Sequence, residues 1–168
     1  MRYTFCPDCG TRLTEKEIGD EGLVPYCEAC QRPWFDGFPT CVITLVADQA
    51  GRVALLKQNY LSTQYMNLVS GYMQPGETAE QAAAREVYEE LGLRVDTPRV
   101  TGTYWYEKKG LLMVCLVART RDSAFTLSKE VDAARWADAR EALSLVHPKG
   151  TASHQMIEQY LNAGRSNG

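Results

Sequence analysis

Glu86, Glu89 and Glu90 fall close together in the stretch Arg85-Glu86-Val87-Tyr88-Glu89-Glu90-Leu91-Gly92. On a helix, which advances about 100° per residue, their side chains share an arc of about 100°, with neighbouring Cβ atoms about 5–6 Å apart. Carboxylates crowded in this way repel one another by roughly 0.2–0.5 kcal/mol per pair on an exposed helix, and by more where water is excluded. A cation removes the penalty. Hard oxygen donors select Mg²⁺ or Mn²⁺, ions that complete their shells with water and substrate phosphates. The bland alternative for Glu-x-x-Glu-Glu alone is a solvated helix face, so the chemistry depends on what surrounds it.

A second set of candidate ligands lies near the start of the chain. Cys6-Pro7-Asp8-Cys9 and Cys27-Glu28-Ala29-Cys30 are separated by seventeen residues, a spacing that lets two thiolate pairs close a tetrahedral Zn²⁺ site. Four protein thiolates leave the metal no open position, so such a zinc is structural. A stretch of this size buries too little surface to fold unaided, and the metal must supply the difference. Two disulfides, or a ribbon that reads nucleic acid, are alternatives; the segment has no excess of bases, and a scaffold or interaction module is the favoured role. Cys41 and Cys115 sit in apolar runs and read as small buried hydrophobes.

The elements that must position these groups follow from pattern. Cys41 to Ala47 is a near-continuous β-branched run, Asp48 to Gly51 a turn, and Val53 to Leu56 a second strand, together a hairpin. Further strands are expected at Asn67–Ser70, Arg99–Tyr106, Leu111–Arg119 and Val131–Trp136. A helix over Ala79–Leu91 has Thr78 as N-cap with Gln81 completing a capping box, Glu77 and Glu80 at the positive end of its dipole, and Gly92 as its stop. Ala84, Val87 and Leu91 form the apolar stripe that would fasten it to a sheet. Asp138 with Glu141 predicts a second capping box and a helix to about Val146, and a last helix is expected over about Thr151–Asn162. The chain thus divides into residues 1–38 as ribbon and connector, 39–163 as the main domain, and 164–168 as a flexible tail.

The segment Gly71-Tyr72-Met73-Gln74-Pro75-Gly76-Glu77, seven further residues, then Arg85-Glu86-Val87-Tyr88-Glu89-Glu90-Leu91-Gly92-Leu93 resembles the complete Nudix box. The resemblance implies an α+β fold, an α/β/α sandwich around a mixed sheet, behind the N-terminal zinc ribbon. It also implies hydrolysis of a diphosphate with Mg²⁺ or Mn²⁺. At matching positions Glu86 and Glu90 look like the principal metal ligands, with Glu89 as a further ligand or base. Arg85 looks like the partner of Glu77, an ion pair that would orient the catalytic glutamates, and the Gly71 carbonyl looks like another ligand. The wider chain resembles bacterial NADH pyrophosphatases, which place a four-cysteine ribbon before the same domain. Lys129-Glu130-Val131-Asp132 is similar to a segment of those enzymes whose glutamate serves as ligand or base, which adds Glu130.

The departure comes after the box. Those enzymes carry Ser-Gln-Pro-Trp-Pro-Phe-Pro there, and this chain has Gly102-Thr103-Tyr104-Trp105-Tyr106-Glu107-Lys108, keeping only the Trp. Trp105, with Tyr104 and Tyr106, could stack on a nicotinamide or adenine ring. NAD(H), cut to NMN(H) and AMP, is the first substrate expected; ADP-ribose, FAD, diadenosine polyphosphates and damaged nucleoside triphosphates remain open. A catalytically silent Nudix ligand sensor with a ribbon for a partner, and a diphosphate isomerase using a cysteine, are the readings from other classes. Resemblance alone suggests a homodimer.

Composition sets outer bounds. The chain has 168 residues with 45% hydrophobic and 23% charged residues, ordinary globular values. A formal charge of −3 gives no general basic field for a nucleic-acid backbone. No run approaches the ~20 apolar residues of a membrane span, and no signal-peptide pattern opens the chain, so a soluble cytoplasmic protein is expected.

Overall fold

The computed structural model describes residues 2–165. The chain separates into two compact units with the division between Pro39 and Thr40.

The first unit is a small antiparallel sheet, β1 (Thr14–Glu17), β2 (Leu23–Cys27) and β3 (Arg32–Pro33), in that order. Its core is slight: Cys6, Val24, Tyr26 and Cys27 are its buried hydrophobic residues. Gly10 follows the first cysteine pair with φ of 74° and returns its N–H to the Cys6 carbonyl at 2.9 Å, a turn that a side chain would strain.

The second unit is built on a six-stranded mixed sheet. The strands are β4 (Thr40–Ala47), β5 (Val53–Lys57), β6 (Val69–Tyr72), β7 (Arg99–Tyr106), β8 (Leu111–Arg119) and β9 (Ala133–Ala137), in the order β7-β8-β4-β5-β9 with β6 also against β4. β4 and β8 run parallel from Thr40↔Leu112 to Ala47↔Arg119, and the other pairings are antiparallel. Strand β4 is buried along nearly its whole length, as its unbroken apolar run requires.

The expected hairpin forms, but β4 and β5 pair only at Ala47↔Val53. The rest of that edge of β4 goes to β6, which takes Cys41 to Thr44 against Tyr72 to Val69. β5 meets the approach to β6 at the Leu56↔Asn67 bridge instead. This competition for one strand edge is a long-range matter that local pattern cannot show.

One face of the sheet carries α1 (Ala79–Leu91), which packs Val87 and Leu91 on Val46, Ala54, Leu56 and Val69, and Ala82 and Ala83 on Val42 and Leu116. The other face carries α2 (Ala139–Leu145) and α3 (Ala152–Arg165), with Ala142, Met156 and Ile157 against Ile43, Leu45 and Leu55. The α/β/α layering and mixed sheet are those expected.

Helix α1 has the full capping box between Thr78 and Gln81, and Gly92 ends it in a left-handed conformation at φ of 68°. At α2 the expectation needs correction. Asp138 caps the helix through the Arg140 N–H, but Glu141 does not reach back to complete a box, because its carboxylate is taken by Arg135 at 2.7 Å. The strand expected over Val131–Trp136 begins later, at Ala133, and Val131 is a buried anchor ahead of it. Helix α3 includes Gly164 and Arg165, which the sequence pattern assigns to the tail, while residues 166–168 lie outside the described residues.

Candidate active site

Strand β6 and helix α1 bring the box together. β6 ends at Gly71-Tyr72, a loop returns through Gln74 to Glu77, and α1 then presents Glu86, Glu89 and Glu90. A Cβ added to Gly71 would lie 2.0–2.3 Å from the Glu86 carboxylate atoms, so the absence of a side chain is what lets that carboxylate lie against the strand. The backbone there is ordinary, and the demand for glycine is one of space alone.

Arg85 organises the acids. Its Nε and Nη2 donate to the two oxygens of Glu77 at 3.1 and 2.7 Å, Nη1 to Glu86 at 2.6 Å and to Glu89 at 3.0 Å, and Nη2 also to the Tyr72 carbonyl at 3.1 Å. One planar guanidinium therefore fixes the box loop, the end of β6 and two of the helix carboxylates relative to one another. Its bonds to Glu77, above all, raise the Arg85 pKa, and in return Arg85 and the Gln74 N–H hold Glu77 below the usual carboxylate range.

Of the box glutamates, Glu90 is the buried one. It is 6% exposed, one Oε accepts from Gln58 Nε2 at 2.9 Å, and the other is buried without a hydrogen-bond partner among the described residues. Burial first, and then the Glu86 charge, push its pKa up to about 7, opposed by Gln58 and by the Ser70 backbone, whose approach falls short of a formed hydrogen bond. A buried carboxylate oxygen without a partner costs free energy unless a cation meets it.

The donor set suits a divalent ion on two counts, then: the orphaned Glu90 oxygen, and the Glu86 carboxylate lodged in the space that Gly71 leaves. The carboxylates do not converge on one point, however. Among the described residues only Cys6, Cys9, Cys27 and Cys30 form a group of three or more ligand side chains whose donor atoms lie within 4.8 Å of one another. Mutual repulsion and the two holders, Arg85 and Gln58, keep the acids spread.

Glu130 is exposed on the loop before β9, with its N–H on Ser128 Oγ, and its charge reaches Glu90. An open cleft of about 310 Å³ borders Glu89, lined by Tyr88, Gly92, Thr126, Leu127 and Ser128. The three aromatics of β7 divide by the strand's alternation. Tyr104 packs into the core beneath α2 and α3 and donates its hydroxyl to the Gly150 carbonyl at 2.6 Å, on the sheet face away from the glutamates. Tyr106 shares that parity. Trp105 is on the α1 face, 46% exposed, with its indole N–H on Glu107 at 2.7 Å.

The sequence reading missed Gln58 and Asp132. Gln58 is a polar residue, 2% exposed, at the end of an apolar strand, and that incongruity is the available signal for it. Asp132 accepts from the Asn59 N–H at 2.7 Å and ties the loop after β5 to the loop that carries Glu130.

In the first unit the thiols form one cluster, with Cys6 and Cys30 sulfurs 3.9 Å apart and those of Cys9 and Cys27 3.5 Å. A tetrahedron of Zn–S bonds near ~2.3 Å has edges of about 3.8 Å, so the spacing is compatible with zinc and does not suit two disulfides. Burial pushes the Cys41 and Cys115 thiols up to about 11. Both lie buried in the sheet, in β4 and β8, as the sequence pattern expects.

Comparison with known proteins places this geometry. The model of the NUDIX domain matches residues 37–160. The NAD-capped RNA hydrolase NudC of Edwardsiella ictaluri is 29% identical over 157 residues, covering 93% of this chain and 59% of that protein. NUDT12 of Macaca fascicularis, also named an NAD-capped RNA hydrolase, is 27% identical over 180 residues, covering 95% of this chain and 38% of the relative. The chain thus spans less than two thirds of the curated relatives it matches. A NUDIX hydrolase from Nitrosomonas europaea superposes with a TM-score of 0.75 at 21% identity, over 98% of this chain and 93% of that one. An ADP-ribose pyrophosphatase from Streptococcus suis gives 0.62 at 18%, over 79% and 96%. These two structures establish likeness of fold.

Proposed function

The chain belongs to the NUDIX domain family, and on that premise we propose that it hydrolyses the phosphoanhydride of a nucleoside diphosphate linked to a second moiety, with NAD(H), split into NMN(H) and AMP, as the first candidate. The observation that carries this reading is the buried, unpartnered oxygen of Glu90 beside a Glu86 carboxylate lodged against Gly71. A rigid helix holds acids where charge is poorly tolerated, which is the arrangement expected of a divalent-cation site.

Glu86 and Glu90, with Glu89, Glu130 and the Gly71 carbonyl, are the proposed holders of Mg²⁺ or Mn²⁺. When bound, the ion supplies positive charge to the diphosphate and to the oxygen that leaves. Arg85 keeps Glu86 and Glu89 in register with Glu77, so that the donors need not reorganise during turnover. Gln58 holds one oxygen of Glu90 and leaves the other without a hydrogen-bond partner, available to the ion. One of the two exposed acids, Glu89 or Glu130, takes the proton of the attacking water as its oxygen bonds to phosphorus and the bridging P–O bond breaks. Trp105 is the member of the β7 aromatic trio on the face that carries α1 and its acids. In the first unit, a structural Zn²⁺ held by Cys6, Cys9, Cys27 and Cys30 is proposed.

The names of the curated relatives add the NAD-capped end of an RNA as a second candidate substrate, one that the charge argument disfavours. Residues 1–39 hold seven acidic and four basic residues, and residues 40–168 hold fourteen of each. That distribution gives neither unit a net positive charge, so a capped RNA would be recognised first by its terminal diphosphate. The deciding experiment is turnover of NAD⁺, NADH, ADP-ribose, FAD, a diadenosine polyphosphate and an NAD-capped oligonucleotide with Mg²⁺ or Mn²⁺, products identified by mass. NMN(H) plus AMP supports the first candidate. No cleavage of any member would refute the hydrolase reading.

A further inference from the structure

The ring of Tyr60 lies within the electrostatic reach of Glu130 and Glu90. Tyr60 is 68% exposed, the most exposed large hydrophobic side chain among the described residues, and its neighbour Leu61 is 46% exposed. Lone exposed aromatics are common and mean little by themselves. What distinguishes this one is how its loop is fastened. Gln58, two residues before it, donates to Glu90 at 2.9 Å, and the Asn59 N–H, one residue before it, is held by Asp132 at 2.7 Å, two residues beyond Glu130.

The turn itself is firm. Leu61 and Ser62 both return their N–H groups to the Gln58 carbonyl, at 2.9 and 3.1 Å, and Ser62 Oγ in turn accepts from the Gln64 and Tyr65 N–H groups at 3.2 and 3.0 Å. Lys57 reaches forward to the Thr63 carbonyl at 2.6 Å. Tyr60 is thus carried on a preorganised turn whose root is bonded to one candidate metal ligand and whose flank is bonded beside another. Its hydroxyl has no hydrogen bond among the described residues. Partial burial of that end, and then the charges of Glu130 and Glu90, raise its pKa, which is consistent with a hydroxyl end within electrostatic reach of both acids.

We propose that Tyr60 is a substrate-binding, specificity-determining residue, whose ring face stacks on the planar heterocycle at one end of a dinucleotide while the carboxylates engage its diphosphate. The proposal rests on the hydrolase reading of the site. A flat π-face on a turn fastened to Glu90 and to the loop of Glu130 suits a base or nicotinamide, which needs a stacking partner and no charge. Because the turn is already ordered, little conformational freedom is lost when the ring is covered. A stacking residue remote from the reacting phosphorus contributes to ground state and transition state alike, and therefore acts on KM.

The test is steady-state kinetics with NAD⁺ and Mg²⁺ for the wild type, Tyr60→Phe and Tyr60→Ala, together with calorimetric binding of NAD⁺ in Ca²⁺. Tyr60→Ala should raise KM about tenfold, within the range of lost base–aromatic stacking, with kcat changed less than about twofold. Tyr60→Phe, which keeps the ring and loses the hydroxyl, should match the wild type. Unchanged KM in the alanine variant, or a phenylalanine variant as impaired as alanine, overturns the stacking role and leaves the hydrolase standing. Calcium-dependent binding of NAD⁺ that weakens about tenfold in Tyr60→Ala, with no turnover in Mg²⁺ by the wild type, keeps the stacking role and removes the hydrolase. Neither binding nor turnover removes both.

Discussion

Replacing Glu90 by Gln should make the metal-free protein more stable while abolishing its chemistry. Glu90 is 6% exposed, and its pKa of about 7 in the folded chain compares with 4.5 for an unperturbed glutamate. At roughly 1.36 kcal/mol per pKa unit, keeping this group ionised in the fold costs about 3 kcal/mol. The sign follows from proton binding. Below about pH 4.5 folded and unfolded chains both hold the proton, and Glu90 has no differential effect. As pH rises from there to about 7 the unfolded chain releases its proton while the folded chain keeps it, so stability falls; above about 7 the full loss is in place. The substituted glutamine retains an acceptor for Gln58 Nε2 and carries no charge. In EDTA at pH 8, urea unfolding followed by circular dichroism should therefore show Glu90→Gln more stable by up to about 3 kcal/mol, with the two proteins converging near pH 4.5. Saturating Mg²⁺ should stabilise the wild type and leave the variant unmoved, and Mg²⁺-dependent turnover should drop by orders of magnitude. A variant no more stable than the wild type at pH 8, with the same pH slope, refutes the claim that Glu90 is a carboxylate buried at a cost. Wild-type turnover in the variant refutes its place in the site.

Gly71→Ala should separate function from folding in another way: the nearest atoms that the added Cβ meets are the movable end of Glu86, so urea stability should change by less than about 1 kcal/mol while Mg²⁺-dependent turnover collapses. A fully active alanine variant would show that Glu86 does not need its berth against β6. Arg85→Lys keeps the charge but cannot reach Glu77, Glu86, Glu89 and the Tyr72 carbonyl together; turnover should fall about 10–100-fold with little change in the circular dichroism spectrum. Turnover equal to the wild type would demote Arg85 to a surface cation. Selective removal of zinc should speed amide hydrogen exchange in residues 1–39 and spare Mg²⁺-dependent hydrolysis, because the cysteines and the acids belong to separate units. Immediate loss of all turnover on that treatment would contradict the structural assignment of the cysteines.

The parts that could be read from sequence were those in which the chemistry is local. Thr78, Gln81 and Gly92 fix α1 through bonds that span a few residues, and the helical turn alone sets Glu86, Glu89 and Glu90 on one arc. The cysteine spacing told of a cluster because each Cys-x-x-Cys pair is itself a short-range object. What escaped depends on partners far along the chain. That Gln58 would hold Glu90, 32 residues away, follows only once β5 lies beside α1's face of the sheet. Glu141 looked like half of a capping box, and a strand residue, Arg135, outcompeted the cap. Tyr104 and Trp105 are adjacent and chemically alike, yet the pleat sends one to the α2–α3 core and leaves the other on the α1 side. Which one lay on the α1 side could not be chosen without knowing which face of β7 each occupied.

The parallel ladder between β4 and β8 has a consequence for biosynthesis. Thr40 finds its partner in Leu112 and Ala47 in Arg119, so the central strand stays open on one side until residues 112–119 have also been synthesised. During that interval the apolar run Cys41–Ala47 is a hydrophobic strand without its neighbour, which is the kind of segment that chaperones bind and that aggregates when they do not. The first thirty-nine residues face no such delay, since every strand of their sheet pairs within the unit. Their pairing can therefore be complete before residues 112–119 are made.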